Sequence, residues 1–192
     1  MDYLPIFLSI RERRVLVVGG GPVAARKVDA LLKAGARVSV VARQLLPQLQ
    51  ARVALGELEH LPGEFLPGQL AGAALAVAAT DDPRVNAAVS RAAQQRQIPV
   101  NVVDQPALST FIFPAIVDRS PLVVAIGTAG SSPVLARRVR ARIEALLPGR
   151  LGALARFMHE RRDAVRRSLA APARRAFWER IADGAVASRV LA

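Results

Sequence analysis

The chain has 192 residues, 52% of them hydrophobic, a net charge of +12 and no cysteine. That length allows one full domain and a smaller appendage, and the apolar content allows a real core. Without cysteine there are no disulfides, no thiolate nucleophiles and no cysteine-based zinc or iron–sulfur sites.

The charge favours anionic partners: nucleic acid, an anionic membrane, or a small polycarboxylate or phosphate ligand. Lys27 and Lys33 are the only lysines; every other basic residue is arginine, and from Ser131 onward 14 arginines stand against five acidic residues. Each arginine taken singly reads first as part of a solvated helix surface. At the amino end, "YLPIFLSI" is apolar, but Asp2 precedes it and "RERR" follows, the reverse of the charge order of a secretory signal. The longest apolar run, Leu70 to Ala79, is too short to cross a bilayer as a helix. The expectation is a soluble, cytoplasmic protein.

"RVLVVGGGPVAARKVDALLKAGARVSVVA" reads as strand, glycine turn, helix, turn and strand. The run Val15–Val18 lacks alternation, as in a strand covered on both faces. Val23, Lys27, Ala30 and Leu31 follow a helical period, Gly35 closes the helix, and "RVSVVA" is the next strand. A crossover of this length implies a parallel pair. The pattern repeats with the strand "LAVAAT", a helix capped by Asp82 with Pro83 at its first position, and the strand "IPVNVVD". Residues 1–112 are therefore expected to form a doubly wound α/β domain of Rossmann type. Two apolar strands, "TFIFPAIVDRS" and "PLVVAIGT", then follow with no helix between them, an antiparallel excursion. The helix after "SSP" carries Leu135, Val139, Ile143 and Leu146 on one face and arginines on the other. The remainder reads as helical, with a break at Ala171–Pro172.

Gly19, Gly21 and Ala24 fit the spacing G-x-G-x-x-G/A directly after a strand and at the opening of a helix. Gly19 permits the tight turn, Gly21 lets the backbone approach a pyrophosphate, and Ala24 permits close packing of helix on strand. The helix N-terminus, opened by Pro22, offers the free N–H groups of Val23 and the residue after it to phosphates. The alternative is a Rossmann unit without a redox role. The end of the second strand carries Arg43 where an NAD site usually has an acid. Arg43 either favours a 2′-phosphate or points away while the backbone from Ala42 to Gln44 meets the adenosine. The residues leave NAD and NADP open.

Asp104 ends a parallel strand, at the side of an open α/β sheet where ligands bind. A carboxylate there could take or give a proton, or it could simply form an Asx-turn before Pro106. "GTAGSSP", residues 127–133, is a second anion candidate, with Ser132 as a natural N-cap and Pro133 at the first helical position. Capping alone also explains it. His60 and His159 are isolated, without ligand spacing, and read as surface residues; no metal site is expected. Phe177 and Trp178 read as core.

The segments "MDYLPIFLSIRERRVLVVGGGPVAARKVDALLKAGA", "AATDDPRVN", "NVVDQP", "STFIFPAIVDRSPLVVAIGTAGSSPVLARRVR" and "ALLP" occur in this order along most of the chain. Together they resemble the N-terminal module of siroheme synthases, the precorrin-2 dehydrogenase and sirohydrochlorin ferrochelatase family. The resemblance covers residues 1 to about 150 well and the helical tail loosely. It implies a Rossmann domain over 1–112, an antiparallel dimerisation segment over 113–147 and a helical domain over 148–192. The implied activities are NAD-dependent oxidation of precorrin-2 to sirohydrochlorin and insertion of Fe²⁺, as substrate, to give siroheme.

By the same resemblance Asp104 is the base of both steps. The NAD contacts are Gly19, Gly21, Pro22, Val23, Ala24, Arg43, Gln44 and Thr80. The tetrapyrrole contacts are Thr128, Ser131, Ser132, Arg137 and Arg138, with Arg140 a further candidate for substrate carboxylates. Thr128 stands where the family's "SSGG-x-SP" loop has serine, and Ala129 where it has glycine. A homodimer is implied, with neither nucleic acid nor membrane as partner. A tetrapyrrole fringed with carboxylates suits a chain of charge +12, and it brings its own nitrogen ligands for the metal. The competing readings are an NAD(P)-dependent dehydrogenase of another anionic substrate, a nucleotide-sensing module without catalysis, and nucleic-acid binding through the arginine-rich tail. Against the last, aromatic residues are only 4% of the chain and form no stacking platform.

Overall fold

The computed structural model describes residues 2–184, 187, 189 and 190. The chain divides into two compact units, Met1–Phe113 and Pro114–Ala192.

The first unit is a five-stranded parallel sheet with helices on both faces. Its elements are β1 (Arg14–Val18), α1 (Pro22–Lys33), β2 (Arg37–Ala42), α2 (Pro47–Ala54), β3 (Leu58–Pro62), β4 (Leu75–Ala78), α3 (Pro83–Gln95) and β5 (Val100–Val102). The strand order is β3-β2-β1-β4-β5, so successive connections wind away from β1 in opposite directions. The point of reversal lies between β1 and β4, where Val18 pairs with Ala78. In open α/β sheets this is where ligands bind, beyond the carboxyl ends of the strands.

The unbroken apolar run of β1 has a simple cause. Val15 and Val17 enter one core with Ala24, Val28, Leu31 and Val40, while Leu16 and Val18 enter the opposite core with Val89, Val100 and Val102. All four β1 valine and leucine side chains are at most 2% exposed, and full burial of such a side chain contributes roughly 1.5–3 kcal/mol. In α1 the buried stripe is Ala24, Ala25, Val28 and Leu31. The expected stripe of Val23, Lys27 and Ala30 is rotated from it and lies half-buried along the flank. The helix ends in a Schellman arrangement. Gly35, at φ 78°, sits one residue beyond the C-cap Ala34, with its N–H bonded to Leu32 O and that of Ala36 to Leu31 O. Asp82 caps α3 as expected, accepting from the Arg84 N–H at 2.8 Å, and Pro83 opens the helix.

Two elements of this unit are not announced by periodicity. α2 has one buried residue, Leu49. β3 is an edge strand with Glu59 and His60 in its middle and only Leu58 fully buried. Charged and polar residues on an edge discourage pairing with other chains, and they also erase the apolar signature of a strand.

The second unit begins with an antiparallel hairpin, β6 (Ala115–Arg119) and β7 (Leu122–Ile126). Three helices follow, α4 (Pro133–Leu146), α5 (Leu151–Ser168) and α6 (Ala171–Asp183). α5 lies so close to the hairpin turn that a Cβ on Gly152 would sit 2.3 Å from Arg119 O and 2.2 Å from Ser120 O. Arg156 donates to Ser120 O at 2.7 Å. Among the described residues the unit's buried apolar set is small: Val117, Ala136, Leu154, Val165 and Ala187. Here only part of the expected α4 face turns inward: Val139 and Ile143 are half-buried. Leu135 and Leu146 are 53% and 79% exposed, and the buried residue is Ala136. Phe177 and Trp178 are likewise not core. They meet edge to face at 5.0 Å and stay half-buried on α6, which has no buried residue.

Candidate active site

The glycine turn follows β1 and meets the end of β2 and β4. Gly19 has φ 127°, and a Cβ there would lie 2.3 Å from Ala79 O. The sequence spacing passes over Gly20, yet a Cβ on Gly20 would lie 2.1 Å from Gln44 O and 3.0 Å from the Ala42 Cβ. Both residues are thus required by backbone packing. Gly21 differs: nothing stands within 4 Å of the Cβ it lacks. The open side of the loop is therefore at Gly21 and the N-terminus of α1, whose first amides have no helical acceptor. An open glycine backing onto a helix N-terminus fits the pyrophosphate of a dinucleotide.

Next to this loop a cleft of about 160 Å³ is lined by Val23, Thr80, Asn86, Val103, Asp104 and Gln105, among others. It brings together three of the expected site residues, Val23 from α1, Thr80 after β4 and Asp104 after β5. Thr80 is held by Asn86: its hydroxyl donates to Asn86 Oδ1 at 2.8 Å, and Asn86 Nδ2 donates to Thr80 O at 2.9 Å. Asn86 is 4% exposed. It belongs to the site through Thr80, and its only signal in the sequence is its place in "ATDDPRVN".

Asp104 is exposed at the cleft mouth with φ 57°, left-handed for a non-glycine residue. Aspartate tolerates this region better than most residues, and strained backbone of this kind concentrates at functional sites. Its carboxylate takes no hydrogen bond and no ion pair within 4 Å among the described residues. The turn after β5 is held instead by Ser109, whose hydroxyl accepts from the Val102 N–H at 2.9 Å and reaches Gln105 O at 3.0 Å. Asp104 is therefore not needed as an Asx cap.

Arg43 follows β2 and pairs with Glu64 in an exposed ion pair, which raises its pKa through that hydrogen bond and charge. The backbone of Gln44 packs against Gly20. A far larger hollow, about 740 Å³, lies at the amino ends of β1–β3. Its polar groups satisfy one another: Arg14 Nε donates to Ser39 Oγ at 3.2 Å and Ser39 Oγ to Glu59 at 2.7 Å. It is at the wrong end of the sheet for a ligand site.

In the second unit, Ser132 caps α4, accepting from the Leu135 N–H at 3.2 Å, and Pro133 follows. Thr128 closes the preceding loop. Its hydroxyl donates to Ser132 O at 3.2 Å, and its carbonyl accepts from the Ser131 N–H at 2.8 Å. Ala129 takes φ 50°, a region in which glycine is free of strain. Arg137 and Arg138 are exposed on the first turns of α4 and form no ion pair among the described residues. Arg140 is otherwise engaged, donating to Ile116 O at 2.8 Å and pairing with Glu144 at 2.9 Å. Of the three arginines expected to meet substrate carboxylates, Arg140 is thus the one with an ion-pair partner among the described residues.

His60 is half-buried rather than on the surface, with Nε2 3.0 Å from Ala42 O; His159 is exposed. Among the described residues no group of three or more His, Cys, Asp or Glu could hold a metal ion, and no helix is long and apolar enough to cross a membrane.

Three family profiles match the chain in order. An NAD(P)-binding family covers residues 6–115, a sirohaem biosynthesis protein central region covers 119–146, and a sirohaem synthase dimerisation region covers 150–192. The siroheme synthase of Methylobacillus flagellatus is 54% identical over 192 residues, and that of Chromobacterium violaceum 53% identical over 192. In both comparisons the match takes in 100% of this chain and 41% of the relative, so the chain spans about two fifths of the length of these relatives. Among solved structures, SirC, a precorrin-2 dehydrogenase, superposes with a TM-score of 0.79 at 26% identity, over 94% of this chain and 90% of SirC. The open Gly21 and the cleft at the sheet's reversal point are thus features of an NAD(P)-binding domain, and this chain belongs to that NAD(P)-binding family and matches siroheme synthases over about two fifths of their length, with the sirohaem central and dimerisation regions behind the domain.

Proposed function

We propose that the protein oxidises precorrin-2 to sirohydrochlorin with NAD and then assists insertion of Fe²⁺ to give siroheme. The observation that carries this reading is the cleft in which Val23, Thr80 and Asp104 meet beside the open Gly21. Bound NAD supplies the hydride acceptor. The protein's own part is the proton. Oxidation of the macrocycle releases one hydride and one proton, and Asp104, unpaired and at the cleft mouth, is placed to take the proton. Chelation releases two pyrrole N–H protons as the metal enters, and the same carboxylate serves as their first acceptor. The four ring nitrogens ligate the iron, so the protein requires no cage of histidines. Gly19 and Gly20 fix the loop, Gly21, Pro22, Val23 and Ala24 present the α1 N-terminus to the pyrophosphate, and Asn86 orients Thr80 toward the cleft. Arg43 and Gln44 border the adenosine end.

Domain roles follow the same reading, with one change: residues 1–112 bind the nucleotide, and the dimer contact expected over 113–147 extends into the helical region 148–192, because the dimerisation profile matches residues 150–192. A second copy of the chain is the partner that suits the second unit. Its core is small while Val134, Leu135 and Leu146 stay exposed, an apolar surface of the kind that marks an interface. The expected species in solution is a homodimer, and a monomeric mass by sedimentation at working concentration would refute it. The cytoplasm, where NAD is at hand, is the location this reading implies.

The direct test is anaerobic incubation of the protein with precorrin-2 and NAD, followed by absorbance of NADH and sirohydrochlorin, and then addition of Fe²⁺. Absence of NAD-dependent turnover would refute the dehydrogenase reading, and absence of siroheme after Fe²⁺ would refute the chelatase reading. Substrate carboxylates are assigned to Arg137 and Arg138, near the loop of Thr128, Ser131 and Ser132. Arg137→Gln and Arg138→Gln, alone and together, are expected to raise the apparent KM for precorrin-2 more than they lower kcat. An unchanged KM at low salt in all three variants would remove these arginines from the site.

A further inference from the structure

The end of the second strand is where a dinucleotide domain reads the ribose of the adenosine half. An acid there takes the 2′-hydroxyl, and an arginine takes a 2′-phosphate. In this chain Arg43 stands one residue beyond β2, and no acidic residue occurs from Arg37 to Leu55. Arg43 by itself would invite NADP.

The acid arrives from the neighbouring strand. β3 runs parallel to β2 with Ala42 opposite Pro62. The two strand ends are tied together: the Gly63 N–H donates to Ala42 O at 3.2 Å, and His60 Nε2 lies 3.0 Å from the same oxygen. Gly63 takes φ 110°, a conformation open to glycine, and Glu64 follows at once. Its carboxylate accepts a hydrogen bond from Arg43 Nη2 and forms an ion pair with it. Both side chains are exposed, so a ligand can reach them.

This pair lies at the nucleotide edge of the sheet. The residues after β2 are bonded to the glycine turn, with the Leu46 N–H donating to Gly20 O at 3.0 Å and Gln44 O packed against Gly20. Arg43 thus stands beside the turn that takes the pyrophosphate, on the β2 side, where the adenosine half of a dinucleotide extends.

We propose that Glu64 is a specificity-determining residue for the nucleotide: it occupies the Arg43 guanidinium and sets a carboxylate where a 2′-phosphate would lie, so that the site takes NAD and rejects NADP. The inference rests on the reading of the glycine turn as the dinucleotide site. Specificity is a difference of two affinities, and a like charge set against the competitor is one way to create it. The 2′-hydroxyl of NAD is uncharged and meets no penalty from Glu64. The 2′-phosphate of NADP must displace Glu64 from Arg43 and then lie beside the displaced carboxylate. An exposed ion pair contributes little to folding, so Glu64 can be replaced without loss of the domain. Its effect emerges when a third charge enters.

The test is titration calorimetry of the full chain with NAD and with NADP at low ionic strength, which needs no precorrin-2. The unaltered protein is expected to bind NAD more tightly. Glu64→Gln is expected to tighten NADP by roughly fivefold to tenfold, the scale of unit charges in contact in water, and to shift the ratio of the two dissociation constants toward NADP by at least that factor. Adding Arg43→Gln to Glu64→Gln is expected to remove the gain, and high salt to shrink it. A ratio unmoved in Glu64→Gln, or a gain that survives in the double variant, would overturn the role of Glu64 while NAD binding upheld the nucleotide site. Failure of the unaltered protein to bind either nucleotide would overturn the dinucleotide reading and this inference with it.

Discussion

Asp104→Asn is expected to slow precorrin-2 oxidation and Fe²⁺ insertion together, each by roughly a hundredfold or more, the usual loss when a general base is removed. The substitution is well suited to the structure. Asparagine is among the few residues that accept a left-handed backbone, so φ 57° at this position does not become a folding defect. The carboxylate makes no hydrogen bond within the turn, which Ser109 holds, so the loop survives its loss. NADH formation and siroheme absorbance on one purified variant read the two steps. Near-normal rates in both would reduce Asp104 to a turn residue. Loss of one step alone would show that each reaction has its own base.

Gly21→Asp is expected to abolish NAD-dependent oxidation while leaving metal insertion into supplied sirohydrochlorin largely intact. A carboxylate at this position would occupy the approach path of the pyrophosphate and repel it. The fold is expected to accept the change, because Gly21 has φ −89° and open space where its Cβ would be. Gly20→Ala is the contrasting control. Its Cβ would fall 2.1 Å from Gln44 O, so it should lower the unfolding midpoint, a defect Gly21→Asp should not show by circular dichroism. Loss of chelation as well in folded Gly21→Asp would mean that the nucleotide and metal-insertion sites are not separable. Retained NAD-dependent oxidation would mean that this turn does not bind the cofactor.

The parts legible in the sequence are those that neighbouring residues decide among themselves. The β1–α1–β2 unit is specified by an apolar run, a glycine turn and a helical period. Asp82 with Pro83 and Ser132 with Pro133 open their helices because a side-chain oxygen and a proline suit the free amides of a first turn. The run of segments from "MDYLPIFL" to "ALLP" points to the family, and it is that resemblance, not spacing, that marks Asp104 as the base, since spacing alone suits an Asx-turn equally. β3 was not legible, because an edge strand buries little and Leu58 alone carries its apolar signal.

Other features depend on residues distant in the chain. Gly20 is required by the carbonyl of Gln44, which only the packing of β1 beside β2 brings near. Leu135 and Leu146 have the helical spacing of a core face, yet α4 turns Ala136 inward. Arg140 has the charge and the place of a substrate ligand, but Ile116 O and Glu144 already hold it. Arg43 invites a 2′-phosphate by its place in the sequence until β3 pairs beside β2 and Glu64 comes to hold its guanidinium. Local hydrogen bonding and periodicity fix which elements form. Which side chains remain free for chemistry depends on burial and on the partners each finds across the fold, and those contacts exist only after the chain has closed on itself.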